Sequence, residues 1–466
     1  MAIDQGRLRQ YLAGFIASIG SACFGVAMGW PAPVMWALRD PHGRIRMSAE
    51  ESSWMVSIME LGNLLLPIPS GVLADRYGRK FVLHLAAPLF AASWIIVLLS
   101  RAKLMLYVMR VLQGLATGLV FTLTPMYLGE ISKKEHRGTI GSMFSVMMYV
   151  GSLYAYVFGP PFSYDVFAMI CLAMPTVMFI GFMFIPETPY FYLMVGDVKA
   201  ARESLAFFRS KDDPIEEELL LMQESVEADM ANKSTFMDLM TEVGNRKALI
   251  ILQVLSMFKI MTGICALLTY ATMTFEETGT RCNANLISIS FAVIIVVSTM
   301  ASAGFVDRCG RRPMLLVSSV GLTITNVVIA LYFYELRLVP PLSDYGFIVF
   351  AAVGALACFH TIGYGAVHST IQCEYFPSNT RGLANGITAV TLTVFSFFTL
   401  KIFQSIDTYF GMYVNFIVFA AFCFSASVFV NEVVFETKGK SFSEIHAEFR
   451  NRVSEAYVDE HHVVAV

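Results

Sequence analysis

Three charged residues, Glu60, Arg110 and Lys259, stand inside or beside otherwise apolar stretches. A charge near the centre of a bilayer costs ~2.5–3.5 kcal/mol or more, so each demands a partner or a use. At about 1.5 Å per helical residue, Lys259 lies ~18 Å above Lys247 and Glu60 ~22 Å above Asp75, nearly the same depth. Three readings stay open. Glu60 and Lys259 form a buried ion pair or are two charges solvated in a cavity; or Lys259, with His368, binds an anionic or polar non-sugar solute; or Glu60 carries a proton. Arg110 has no partner by spacing; it either caps a buried carbonyl or carboxylate or snorkels outward. His360 and His368, two turns apart on one helix face, read as packed, hydrogen-bonded histidines. With no phosphate-binding glycine loop, nucleophile–base pair or metal-ligand cluster in the sequence, an enzyme is not expected, and no cofactor or metal is implied. The eight cysteines lack metal-ligand spacing and only Cys282 falls in an outer segment, which argues against a disulfide framework or a zinc site.

These residues must be positioned by membrane helices. Of 466 residues, 56% are hydrophobic and 15% charged, and the mean hydropathy is +0.61. A soluble chain would carry ~25% charged residues. Uncharged segments run over 10–38, 81–100, 111–129, 138–164, 166–186, 282–306, 313–334, 345–373, 382–400 and 408–431. Two more, about 54–74 with Glu60 and 248–274 with Lys259, bring the expected spans to twelve. Six precede residue 187 and six follow 247. The expected organisation is an all-α polytopic protein: an N-terminal bundle over 1–185, a cytoplasmic helical linker over 186–247, a C-terminal bundle over 248–432 and a cytoplasmic tail over 433–466. Within the linker, Asp213-Pro214 before Glu216–Glu218 predicts a helix start, and Gly196-Asp197 predicts another. No signal peptide is read before the first span. Lys and Arg favour the loops on the side of the termini, which puts both termini in the cytoplasm. The acceptor triplet Asn232-Lys233-Ser234 then lies inside the cell. A net charge of −3 argues against a nucleic-acid partner, leaving the lipid bilayer and a small-molecule substrate.

Three motifs occur twice in the same order. DRYGRK at Asp75–Lys80 returns as DRCGRR at Asp307–Arg312; Glu130 with Arg137 returns as Glu374 with Arg381; PETPYF at Pro186–Phe191 returns as FETKGK at Phe435–Lys440. The copies follow the second, fourth and sixth span of each half, the signature of parallel repeats about an axis along the membrane normal.

With those motifs the chain resembles the sugar-porter family of the major facilitator superfamily over essentially its whole length. Its first-span end, GVAMGWPAP at Gly25–Pro33, is most similar to the insect facilitated trehalose transporters. The resemblance implies a twelve-helix carrier of a sugar, trehalose- or hexose-like, or a related polar solute, working by alternating access in the plasma membrane. It also implies an inner gate in which Asp75, Arg79, Glu130, Arg137, Glu187, Asp307, Arg311, Glu374, Arg381 and Glu436 tie the two halves together.

The family's sugar-reading amides and indole are nearly all replaced. The seventh-span pattern QQxSGxNxxxxY stands here as KIMTGICALLTY, keeping Gly263 and Tyr270 with Lys259 and Ile260 for the glutamines, Thr262 for the serine and Cys265 for the asparagine. In the tenth span Ala366, His368 and Ser369 replace proline, proline and tryptophan; Ser145 replaces a fifth-span glutamine; Leu392-Thr393 replace an Asn-Trp pair. The expected substrate-facing set is Glu60, Ser145, Lys259, Thr262, Cys265, Tyr270, His368 and Ser369. Each missing amide leaves a sugar hydroxyl short of a partner at ~1–3 kcal/mol. So the substrate differs from a simple monosaccharide, a non-sugar and anionic solute under the Lys259 reading, or the chain has become a sensor that no longer moves solute.

Overall fold

A computed structural model describes residues 5–40, 44–133, 135–210, 213–231, 236–279, 283–302, 309–338, 346–376, 378–438, 440, 444–445 and 448–449. Among them helices account for all regular structure. Eleven helices are long and apolar enough to cross a membrane, and a bent pair, Ala49–Leu65 with Pro67–Tyr77 at 44°, makes the twelfth. We call the face bearing Gln5 the near face and its opposite the far face.

The first six spans run Gln5–Arg39, Ala49–Tyr77, Arg79–Leu99, Lys103–Ile131, Arg137–Phe158 and Tyr164–Phe184. The second six are Gly244–Glu276, Ala284–Ser302, Arg311–Leu338, Phe347–Glu374, Ser378–Phe410 and Met412–Glu432. Proline sets the bend of the second span, because Pro67 cannot donate the hydrogen bond that would continue the helix from Leu65. The seventh span breaks between Ile260 and Ile264, and the tenth passes through a π-helical turn at Thr361–Gly365. The eleventh span is longer than the uncharged run 382–400 suggested. It continues to Phe410 and carries Lys401 and Asp407 within it.

Among the described residues the polar stretch after the sixth span forms the two predicted helices, Val198–Phe208 and Ile215–Ala231, and two that were not predicted, Pro189–Met194 and Phe236–Thr241. Asp197 accepts the Ala200 N–H at 3.0 Å, an N-cap. Asp213, just before the Ile215–Ala231 helix, pairs with Lys133 at 2.7 Å, and this linker docks on the near face of the first half. Gln10 strengthens the docking by donating to the Phe208 carbonyl at 2.6 Å. The triplet at 232–234 lies outside the described residues.

The halves meet mainly toward the far face. The end of the first span, Pro31–Arg39, packs on Ile264–Glu276 of the seventh, the fifth span packs on the eighth, and the second runs along the eleventh. Arg39 lies within electrostatic reach of Glu276, Glu277 and Asp407, which belong to the other half. Near-face positions are more open: Gly129, Gly138, Gly141 and Gly382 have no neighbouring atom within 4 Å of a built Cβ.

Candidate functional site

The duplicated motifs fold into two copies of one near-face cluster. In the first half Gly78 adopts φ 99°, a backbone that favours glycine, and turns the chain so that the N–H of Lys80 donates twice to Glu187, at 2.8 and 3.0 Å. In the second, Gly310 at φ 88° lets Arg311 and Arg312 donate their N–H groups to Glu436 at 2.9 and 3.1 Å. A Cβ on either glycine would strike the carboxylate it serves, at 2.3 and 2.8 Å. Arg79 pairs with Glu130 at 3.2 Å and Arg311 with Glu374 at 2.7 Å. Thr188 and Thr437 donate to the second oxygen of the same glutamates at 2.5 and 2.6 Å.

Every one of these pairs lies within a single half. Arg79 and Arg311 do reach Glu130 and Glu374, as their motifs implied, but within one bundle: Glu130 and Glu374 end the fourth and tenth spans beside the start of the third and ninth, and among the described residues no tie between the halves runs through these pairs. Asp75, half exposed, adds a 3.3 Å contact to Arg79. Arg137 is exposed and makes no ion pair among the described residues. Asp307 and the Arg381 side chain lie outside the described residues.

The two caps differ electrostatically. At Glu187 burial outweighs the N–H groups of Lys80 and Thr188 and the charge of Arg79, raising its carboxyl above the usual range. Burial also opposes charge on Glu436, but the N–H groups of Arg311, Lys438 and Arg312 together overcome it and hold that carboxyl low.

In the middle of the bundle the Glu60–Lys259 ion pair does not form. Glu60 is 5% exposed and accepts from Ser396 Oγ of the eleventh span at 2.8 Å and from Asn63 at 3.2 Å. Asn63 also donates to Thr393 at 3.0 Å. Toward the far face the same seam continues with Lys401 donating to Ser53 at 2.8 Å and lying 4.5 Å from the Trp54 ring centre, and with Ser52 reaching Gln404 at 3.3 Å. Sequence reading missed this polar seam. Asn63, one turn from Glu60, and Lys401, a charge ending an apolar run, were its visible signals.

Arg110 resolves as a carbonyl cap. It donates to Ala27 at 2.6 Å and to Gln113 at 2.9 Å and lies over the Trp30 ring at 5.2 Å, wholly buried. The space shared by Glu60, Arg110, Met28 and Thr269 holds about one water, far less than a sugar ring.

Of the expected substrate-facing residues, five are buried and engaged. Thir broken seventh span supports three of them: Thr262 meets His360 Nδ1 at 3.0 Å, Cys265 meets Ser396 at 3.4 Å, and Tyr270 donates to the Leu400 carbonyl at 3.2 Å while stacking on Phe403. His368 Nε2 meets Ser256 Oγ at 2.8 Å, and Glu60 sits in the seam. Both histidines are thus packed between the seventh and tenth spans, as their spacing suggested. Only Ser145 and Lys259, partly exposed, and Ser369, exposed, reach solvent. Gly263 makes the break, at φ 88° with its Cβ position 2.6 Å from the Phe419 ring.

A family model described as sugar (and other) transporter matches residues 13–449. The Bombyx mori protein named facilitated trehalose transporter Tret1 is 30% identical over 437 residues, covering 94% of this chain and 86% of that protein. The Mus musculus solute carrier family 2, facilitated glucose transporter member 8, is 30% identical over 462 residues, 95% of each chain. Among solved structures, the inward open xylose transporter XylE from E. coli superposes with a TM-score of 0.78 at 19% identity, over 94% of this chain and 99% of that one. XylE bound to 6-bromo-6-deoxy-D-glucose gives 0.76 at 20% identity. At that identity the likeness speaks for the fold.

Proposed function

The chain belongs to the sugar (and other) transporter family, and on that premise we propose that it carries a sugar or a related small polar solute across the plasma membrane by alternating access. The observation that carries this reading is the near-face cluster built twice, glycine turn, arginine, two glutamates and threonine, once per six-span half. Each cluster locks the ends of its own bundle together, so each half moves as a rigid unit against the other. The near face is the cytoplasmic one, with both termini on it, and the bundles divide at 1–185 and 248–432, with the linker 186–247 carried by the first and the tail 433–466 following the second. The vestibule around Lys259, Ser145 and Ser369 is the inward-open approach to the substrate. The clusters around Arg79 and Arg311 stiffen the gate; the polar seam between the second and eleventh spans is where the halves hold.

A second reading, a sensor derived from a transporter, gains support from the packing of Thr262, Cys265 and Tyr270 against neighbouring spans, which leaves few central groups for a sugar. Counterflow separates the two. Proteoliposomes preloaded with unlabelled trehalose or glucose should accumulate the labelled sugar faster than empty ones, because alternating access returns a loaded site more readily. Binding without any counterflow would establish the sensor instead.

A further inference from the structure

Lys259 presents a positive charge to the vestibule and has no ion pair or hydrogen bond from its ammonium among the described residues. Its natural counter-charge, Glu60, is already committed to Ser396 and Asn63 in the seam. Its charge bears on His360 and His368 of the tenth span, and His368 Nδ1 is buried without a partner. The lysine also stands at the level where two helices are interrupted, the seventh at Gly263 and the tenth at Thr361–Gly365, joined there by the Thr262–His360 bond. A cation held at a break, accessible to water and surrounded by low-dielectric walls, attracts an anion strongly.

Toward the near face the same two spans and the eleventh carry amides. Gln253, one and a half turns below Lys259, donates to Thr388 at 3.1 Å and leaves its Oε1 without a partner. Gln372 donates to Asn385 at 2.9 Å, both partly exposed. Amides offer a donor and an acceptor each, the chemistry that reads hydroxyl groups. They stand closer to the near face than Lys259, Thr262 and Cys265.

We propose that this vestibule binds a hexose-sized polyhydroxy monocarboxylate, a sugar acid, with its carboxylate on Lys259 and its hydroxyls toward Gln253, Gln372 and Asn385. One ammonium without an ion pair suits a single negative charge; a phosphate dianion would need a second cation. The proposal rests on the transport reading above and names the substrate class of its site.

The test is a matched pair, glucuronate and glucose, which share a ring and differ at C6, assayed with wild type and Lys259→Gln in proteoliposomes and by calorimetric binding to the purified protein. The expected result is saturable glucuronate uptake and binding that weaken with added salt and fall about tenfold to hundredfold in Lys259→Gln. A Lys259→Arg variant should retain much of the glucuronate affinity, which excludes a folding defect as the cause. Glucose uptake with neither uptake nor binding of glucuronate would overturn the sugar-acid site and leave the transport reading intact. Glucuronate binding without movement of either compound would support the site and overturn transport. No glucuronate binding to a protein with a normal melting transition would overturn the site.

Discussion

Ser396 of the eleventh span donates a 2.8 Å hydrogen bond to Glu60 of the second, tying one six-helix half to the other at the middle of the protein. Asn63–Thr393 on one side and Ser53–Lys401 on the other extend the tie toward both faces. Away from water such bonds have no solvent to replace them, so the halves stay together until the whole seam exchanges partners.

Glu60 therefore tests as a seam residue. Glu60→Ala leaves Ser396 and Asn63 short of a partner and should lower stability by about 1–3 kcal/mol, read as an earlier thermal melt in detergent. Glu60→Gln keeps an acceptor for Ser396 and should melt close to wild type. Equal losses in both variants would show that the charge, not the hydrogen bond, holds the seam.

The two near-face clusters should fail unequally. The Arg79 and Glu130 side chains are 2% and 13% exposed, whereas Arg311 and Glu374 are 11% and 25% exposed. Glu130→Ala strands a buried guanidinium and should cost about 3–5 kcal/mol. Glu374→Ala, where water can reach the arginine, should cost less. Because each pair lies within one half, the exchange Arg79→Glu with Glu130→Arg should recover part of the loss without any change in the other half. Thermal melts of the three variants decide it.

The caps titrate in opposite directions. Glu436 is held low in the folded protein, so its contribution is present above the unfolded value of ~4.3 and is lost as pH falls through its folded pKa. Glu187 is raised, so its contribution is present below ~4.3 and is lost as pH rises through its folded pKa. Melting measured from pH 3 to 7 should lose part of its acid limb in Glu436→Gln. Glu187→Gln should keep that limb and flatten the upper part of the profile. An unchanged profile in both would remove the caps as titrating elements.

The sequence alone was enough for the architecture and its repetition. Twelve apolar runs must each become a helix, because a lone segment in lipid can satisfy its backbone only internally. The twice-written motifs required a glycine turn beside arginine and two acids in each half, and Gly78 and Gly310 carry the same positive φ. Partner choice was not legible. Glu60 and Lys259 sit at matching depth along their helices, but depth says nothing of rotation about the helix axis, and rotation turned Glu60 toward Ser396. The reach of Arg79 and Arg311 was equally undecided, since Glu130 and Glu374 could have faced either bundle until packing put each beside its own arginine. Tertiary structure alone decided which polar groups were consumed in holding the halves together and which, Lys259 foremost, were left facing water.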